Sequence, residues 1–168
     1  MLHNLEIKSF LTQKLTIKKK FSNNEIKLYH FFRNNTGVNP DNVIFISPYI
    51  FFFVSSEDYF KAKRLLKKIR TKLINKKVLI IKSESTLIRL LFSLFPDTYI
   101  HDIILNIDEY GRKIITLIFY FYEDRGIAIG TSGNYIKIIN RIFDEYILLE
   151  KSNGLLEIKC DINKPKPI

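Results

Sequence analysis

The sequence feature that most constrains the fold is a pair of glycines, three residues apart, at the start of an amphipathic segment. Gly130 and Gly133 follow the aliphatic run Ile127-Ala128-Ile129. Glycine is needed where a backbone turns tightly or lies against another backbone, because a Cβ would not fit. A helix that starts just after such a turn offers unpaired N–H groups and the positive end of its dipole, which suit a phosphate. The pattern predicts helix, G-x-x-G turn and second helix, with a candidate phosphate site at the turn.

The charge of the chain favours a polyanionic partner. The formal net charge is +10 and the isoelectric point about 9.6, which indicates nucleic acid first and an anionic membrane surface second. The alternative is a solvated lysine surface with no dedicated ligand. The densest positive segment predicts a helix face that follows an RNA backbone, or else a solvated face, and comprises Lys61, Lys63, Arg64, Lys67, Lys68, Arg70, Lys72, Lys76 and Lys77.

Several functional classes find little support in the sequence. Cys160 is the single cysteine, so an internal disulfide is excluded and a reducing compartment fits. The longest apolar run, Tyr49 to Val54, is far shorter than the ~20 residues of a membrane span. The N-terminus lacks the apolar core of a secretory signal. We therefore expect a cytoplasmic protein, or one of an organelle stroma or matrix if the genome is an AT-rich organelle's, that is not secreted and has no membrane partner.

Catalysis finds no motif either. The three histidines, His3, His30 and His101, lie on separate predicted elements without the spacing of metal ligands. The acidic residues occur as adjacent pairs at turns and helix ends rather than as convergent acid–base pairs. No phosphate-loop or dinucleotide motif occurs, and Cys160 on a predicted strand is expected to be a buried structural thiol. We expect no enzyme, no metal, no cofactor and no small-molecule substrate.

Turn signals divide the chain into two similar halves. The segment 1–21 is predicted to be a basic leader or an extra strand. The first half then comprises helix 22–33, strands 43–47 and 49–54, a long helix capped by 55–58 that ends at about 74, and strand 78–82. The second half reads a helix over 87–94, capped by Ser83 or Ser85, strands 99–107 and 112–122, the G-x-x-G element with its second helix to about 146, a turn at 152–154 and a strand 155–160. The aromatic residues of the strands, Phe119 to Tyr122 among them, are expected to pack in the core rather than to stack on bases.

A repeat of about 60 residues predicts two copies of one small fold. The second half has the element order of a type II KH domain, in which a three-stranded sheet packs against helices and a G-x-x-G loop clamps nucleotides. The fold class is therefore α+β, two tandem type II KH-like domains. The predicted parts are a leader at 1–21, a degenerate domain without G-x-x-G at 22–83, a domain with G-x-x-G at 84–162 and a loose tail at 163–168.

At two places the sequence resembles a known family. The segment 25–38, with its Thr36-Gly37 turn, followed by 42–45, is similar to the opening of archaeal-type NusA proteins, short transcription factors made of two KH domains. Pro96 before a strand pair, then 125–130 and 133–137, resembles their second half. The resemblance covers about 22–161. It implies binding of single-stranded RNA, a nascent transcript, in transcription elongation or termination beside RNA polymerase.

The two copies differ in what they keep of the RNA site. Ser55-Ser56-Glu57-Asp58 stands where the first G-x-x-G is expected, and its two acids would repel a phosphate. The second turn holds Thr131 and Ser132, whose hydroxyls can hydrogen-bond a phosphate with a smaller Coulombic contribution than a basic residue.

The hypothesis for the second domain assigns three roles. The backbone from Gly130 to Gly133 and the start of the helix at Asn134 hold about four nucleotides. Ile127, Ile129 and Ile136 form an aliphatic floor for the bases, and Arg125, Lys137 and Arg141 add charge at the rim. A secondary basic patch comprises Lys61, Arg64, Lys67, Lys68 and Lys72. The alternatives are a ribosomal KH protein that binds ribosomal RNA and a protein-interaction module with a vestigial G-x-x-G.

Overall fold

A computed structural model describes residues 2–151 and 154–164 and divides the chain into two compact units. One unit is Ile17–Ser85, and the other combines Met1–Thr16 with Thr86–Ile168. The α+β class is confirmed, with a three-stranded sheet packed on helices in each unit. The elements are α1 Leu2–Leu11, β1 Leu15–Ile17, α2 Asn23–Thr36, β2 Asn42–Ile46, β3 Tyr49–Val54, α3 Tyr59–Lys63, α4 Leu66–Lys72, β4 Lys77–Lys82, α5 Leu87–Leu94, β5 Ile100–Ile107, β6 Lys113–Phe119, α6 Tyr122–Ile129, a 3₁₀ turn Thr131–Gly133, α7 Asn134–Tyr146, β7 Ile147–Leu149 and β8 Leu156–Ile162.

Local signals set the limits of α2. Ser22 caps the helix in a capping box with Glu25, and the left-handed Gly37 ends it with a backbone bond from its N–H to Arg33 O. The buried face of α2 brings Phe32 onto Phe52 of β3, with the ring centroids 4.3 Å apart and the rings stacked. This contact lies in the core of the unit Ile17–Ser85.

The two units share one topology. In each, helix, strand, strand, helix, helix and strand follow in order, with the short β7 inserted before the last strand in the second. The first two strands are antiparallel, and the last is parallel to the middle strand. The sheet orders are β2-β3-β4 and β5-β6-β8. The predicted internal repeat is therefore present in the fold.

The long helix expected after the cap at 55–58, ending at about 74, is instead two short helices, α3 and α4. The chain bends at Arg64 (φ −58°, ψ −27°) and Leu65 (φ −95°, ψ 0°). Any residue can adopt these angles, so no glycine is required there. This bend, and not the turn at Ser55–Asp58, occupies the topological position of the G-x-x-G turn. The expectation that placed the degenerate site at Ser55–Asp58 is corrected accordingly.

The stretch expected to be a basic leader or an extra strand contains a helix and a strand. It forms α1, which lies against α5, and β1, which pairs with β7. Residues up to Thr16 belong with the unit 86–168, so they are part of that fold rather than of an extension.

Other limits differ by a few residues. Strand β6 ends at Phe119, so Tyr120, Phe121 and Tyr122 are exposed instead of packed in the core. Thr86, and neither Ser83 nor Ser85, occupies the cap position of α5. The last strand, β8, extends to Ile162. Residues 152 and 153 of the predicted turn and 165–168 of the predicted tail lie outside the described residues.

Candidate nucleic-acid interface

The predicted helix, turn and second helix are present at Gly130–Gly133. Helix α6 ends at Ile129, and Gly130 (φ 78°, ψ 171°) turns the chain into the 3₁₀ turn. The N–H of Gly130 donates to Gly126 O (2.9 Å), and the N–H of Gly133 donates to Gly130 O (3.1 Å). Ser132 (φ 55°) and Gly133 (φ 71°) are both left-handed, and α7 begins at Asn134.

The two glycines are required for different reasons. A Cβ on Gly130 would lie 2.7 Å from Tyr135 Cβ and 2.9 Å from Tyr135 N, so the residue must lack a side chain for α7 to start where it does. A Cβ on Gly133 would meet only Lys137 Cε at 3.9 Å. Packing therefore demands glycine at 130, whereas at 133 only the left-handed backbone favours it.

Tyr135 fixes the turn to the rest of its unit. Its side chain is buried, its Oη donates to Leu94 O, and its ring stands edge-on to Phe95 at 5.7 Å. The start of α7 is thereby attached to the end of α5. The turn is held in place by packing on one side while its other side faces solvent.

Thr131 and Ser132 open the 3₁₀ turn, and both residues are exposed. The N–H groups of the first residues of a helical turn lack an acceptor within that turn. Such groups, next to two hydroxyls, form a small site that an anion can occupy.

The exposed face of α6 is bare next to this turn. Gly126 lies inside the helix and is exposed, and a Cβ built there would come within 4 Å of no atom of the described residues beyond its own helical turn. Glycine inside a helix costs about 0.5–1 kcal/mol relative to alanine, and packing gives no reason for it here. Sequence reasoning missed Gly126, although a glycine inside a helical pattern is a usable signal of close approach.

The three isoleucines of the predicted floor do not share one environment. Ile127 is 54% exposed, whereas Ile129 and Ile136 are half-buried. Ile127 therefore presents the largest apolar surface beside the turn. Asn134 is exposed at the first position of α7.

The three rim cations differ as well. Lys137 is exposed and its stem passes near Gly133. Arg141 is paired with Glu145 (Nε to Oε1, 2.7 Å), which raises the pKa of the Arg141 guanidinium. Arg125 is half-buried, and its Nε is buried without a hydrogen-bond partner among the described residues. Of the three, Lys137 is the cation that the turn presents to solvent.

Arg125 acts inward, on β8. Burial raises the pKa of the Cys160 thiol to about 12, and the positive charge of Arg125 acts in the opposite direction. The thiol is therefore protonated at neutral pH. Cys160 was expected to be buried and is half-buried.

Asn140 connects α7 to the outer edge of the sheet. Its Nδ2 donates to Ile158 O (2.9 Å), and its Oδ1 accepts from Ile158 N (2.7 Å), so the side chain satisfies both backbone groups of an edge residue. Sequence reasoning missed this residue. Beside it, α7 and the start of β8 border an open cavity of about 470 Å³ that Lys137, Arg141, Asp144 and Glu157 line.

The secondary basic patch lies in the other unit, on and between α3 and α4. Lys61, Arg64, Lys67, Lys68 and Lys72 are all exposed. None forms a salt bridge within the described part of the chain; Lys72 donates to the neutral amide oxygen of Asn35. These positions confirm nothing about RNA, but they leave five cations without a carboxylate.

Two features are absent from residues 2–151 and 154–164. No three histidine, cysteine or acidic side chains there are grouped so that they could hold a metal ion. No helix in these ranges combines the length and the apolar character needed to cross a bilayer.

Comparison with known proteins gives a fold and no function. No family model matches the sequence, and no curated protein does. Among solved structures, the chain is similar to one described as "Crystal structure of APE1850", with 22% identity, a TM-score of 0.59, and coverage of 84% of this chain and all of that one. At this identity the likeness supports the fold alone.

Proposed function

We propose that the chain is an RNA-binding protein built of two type II KH-like domains, and that the second holds single-stranded RNA at Gly130–Gly133. The observation that carries the proposal is the turn itself, in which the exposed Thr131 and Ser132 lie between a bare helix face and an exposed lysine. A KH domain holds about four nucleotides at such a turn.

The topology supports this assignment. A parallel pair formed by β6 and β8, an antiparallel neighbour β5, and two helices joined by G-x-x-G between the parallel strands are what a type II KH domain requires. The unit 17–85 has the same arrangement without the glycine turn. One ancestral fold, used twice and altered at one turn, accounts for both units.

In the proposed complex, each residue at the turn has a role in binding. The N–H groups of Thr131 and Ser132, with their hydroxyls, donate to a phosphate, and Lys137 adds charge. Ile127 offers an apolar surface to a base. The bare backbone at Gly126 lets the RNA lie close to α6. Arg125 and Arg141 have smaller parts, since one is directed inward and the other is paired with Glu145.

The sequence resemblance to archaeal-type NusA proteins supports a proposal for the biological setting. On that basis we propose that the RNA is a transcript and that the protein acts in elongation or termination beside RNA polymerase. The net charge of +10 is consistent with an RNA partner.

Replacement of Gly126 by alanine should change stability and binding in opposite directions. The alanine is a better helix former, so the free energy of unfolding should rise by about 0.5–1 kcal/mol. The added methyl group occupies the bare face, so affinity for a pool of single-stranded RNA about ten nucleotides long should fall severalfold, and further for Gly126→Leu. Thermal unfolding and fluorescence anisotropy with the full chain measure the two effects.

The matched control is Asn4→Ala on the exposed surface of α1, which also improves helix propensity but lies on another helix. It should raise stability without changing affinity. If Gly126→Leu binds the RNA pool as tightly as the unchanged chain, RNA does not lie on this face of α6 and the proposed site is wrong.

A further inference from the structure

The net positive charge of this protein belongs to one of its two units. The segment 17–85 holds fifteen lysines and arginines against five aspartates and glutamates, whereas the rest of the chain holds twelve against twelve. The unit with the glycine turn is therefore electrically neutral. The whole net charge of +10 belongs to the unit that lacks the turn.

In the neutral unit, two arginines around α7 and β8 are compensated by carboxylates. Arg141 pairs with Glu145 at 2.7 Å. Arg112 contacts both Asp108 (2.9 Å) and Glu157 (3.0 Å). Little uncompensated charge remains there to attract a polyanion from a distance.

The cations of α3 and α4 are in the opposite condition. The patch Lys61, Arg64, Lys67, Lys68 and Lys72 is exposed and has no ion pair among the described residues. Lys82 is held over the rings of Tyr59 (4.9 Å) and Phe60 (5.4 Å), a contact that orients an ammonium without neutralising it. Like charges at this density repel one another, and a polyanion relieves that repulsion.

We propose that the unit 17–85 is a second RNA-binding surface, which contacts the phosphate backbone through α3 and α4 and supplies most of the salt-dependent affinity. The bend at Arg64 and Leu65 has no glycine and no left-handed residue, so it offers no clamp for a single strand. Binding there depends on phosphate charge and is indifferent to base pairing. The two units thus divide the work: one provides attraction, and the other discriminates single strands.

This inference deepens the proposed function and rests on RNA being the ligand, but not on the glycine turn being its site. The test uses the full chain with two probes of about 20 nucleotides or base pairs, one single-stranded RNA and one RNA duplex. The variant Lys67→Glu/Lys68→Glu places two acids in the first turn of α4, where the helix dipole favours them, so the helix is retained. The control Lys8→Glu/Lys164→Glu makes the same charge change at exposed positions of the neutral unit.

We expect Lys67→Glu/Lys68→Glu to lower affinity for both probes by at least about tenfold at 0.1 M salt. The slope of log affinity against log salt concentration should fall by the equivalent of about two phosphate contacts. The control should change affinity less than about threefold. The Thr131→Asp/Ser132→Asp variant should leave duplex binding unchanged and weaken single-strand binding. If it leaves single-strand binding unchanged as well, the turn is not an RNA site, and this result is separate from the result for Lys67→Glu/Lys68→Glu.

Two results would overturn the inference. One is an equal loss of affinity in Lys67→Glu/Lys68→Glu and in its control. This would mean that affinity depends on the net charge of the chain and not on the position of the patch. The other is binding to vesicles containing anionic phosphatidylserine that is as tight as duplex binding at the same salt, which would assign the patch to a membrane surface.

Discussion

Replacement of Gly130 by alanine should lower the free energy of unfolding of its unit by about 3 kcal/mol. Its φ of 78° and ψ of 171° lie in a region that is essentially restricted to glycine. For any other residue this backbone conformation costs about 1–3 kcal/mol. The new Cβ would also lie 2.7 Å from Tyr135 Cβ, so α7 would have to move from its contact with Leu94 and Phe95. Thermal unfolding should show a melting temperature more than about 10 °C lower.

Two other glycines separate the backbone effect from the clash. Gly111 has the same φ of 78° and no atom within 4 Å of where a Cβ would stand, and Gly133 has only Lys137 Cε at 3.9 Å. Alanine at either position should lower the free energy of unfolding by about 1–2 kcal/mol, because only the left-handed backbone conformation is unfavourable there. If Gly130→Ala is no more costly than these two, the close contact with Tyr135 does not exist as described.

The variant Thr131→Asp/Ser132→Asp should lose about 10- to 100-fold in affinity for single-stranded RNA at 0.1 M salt. Two unit charges 4 Å apart repel by about 1 kcal/mol in water and by about 4 kcal/mol near a protein surface. If each of the two carboxylates contributes only the lower value, their sum already corresponds to a loss of affinity within this range. Binding titrations of the full chain measure the loss.

The controls for this variant keep the shape and remove the charge. Thr131→Asn/Ser132→Asn should bind nearly as well as the unchanged chain, because the backbone N–H groups remain and asparagine tolerates the left-handed conformation of Ser132. Both pairs are exposed, so stability should change by less than about 0.5 kcal/mol. Equal affinity of the aspartate and asparagine pairs would mean that no phosphate lies at the turn.

Local signals made much of the fold predictable. Ser22, Glu25 and Gly37 are cap residues whose spacing defines a helix without reference to the rest of the chain. The aromatic and β-branched run Tyr49 to Val54 is a strand in every residue. The glycine pair predicted a turn between two helices, because few other features require glycine at that spacing.

Tertiary contacts determined what the sequence left open. Helix α1 has no acid in its first turn, and its contact with α5 is tertiary, so its segment was predicted to be a leader or an extra strand. Tyr120 to Tyr122 continue an apolar strand pattern, and only the start of α6 at Tyr122 shows that the strand has ended. The break at Leu65 lies inside a run of good helix formers.

The candidate site shows the same division. Its glycines and hydroxyl residues could be identified, but the packing of Tyr135 under Gly130 and the inward direction of Arg125 depend on coordinates. Arg125, Lys137 and Arg141 look equivalent in sequence, and their partners distinguish them. The charge difference between the units became visible only when their limits were known.

The most direct test of the central claim is an NMR titration of the full chain with single-stranded RNA about ten nucleotides long. If the turn at Gly130–Gly133 holds the RNA backbone, the amide resonances of Thr131 and Ser132 should shift strongly and saturate with the binding curve, since their N–H groups acquire acceptors. If RNA binds and shifts residues of α3 and α4 while both of these amides stay unchanged, the turn is not an RNA site and the account is contradicted.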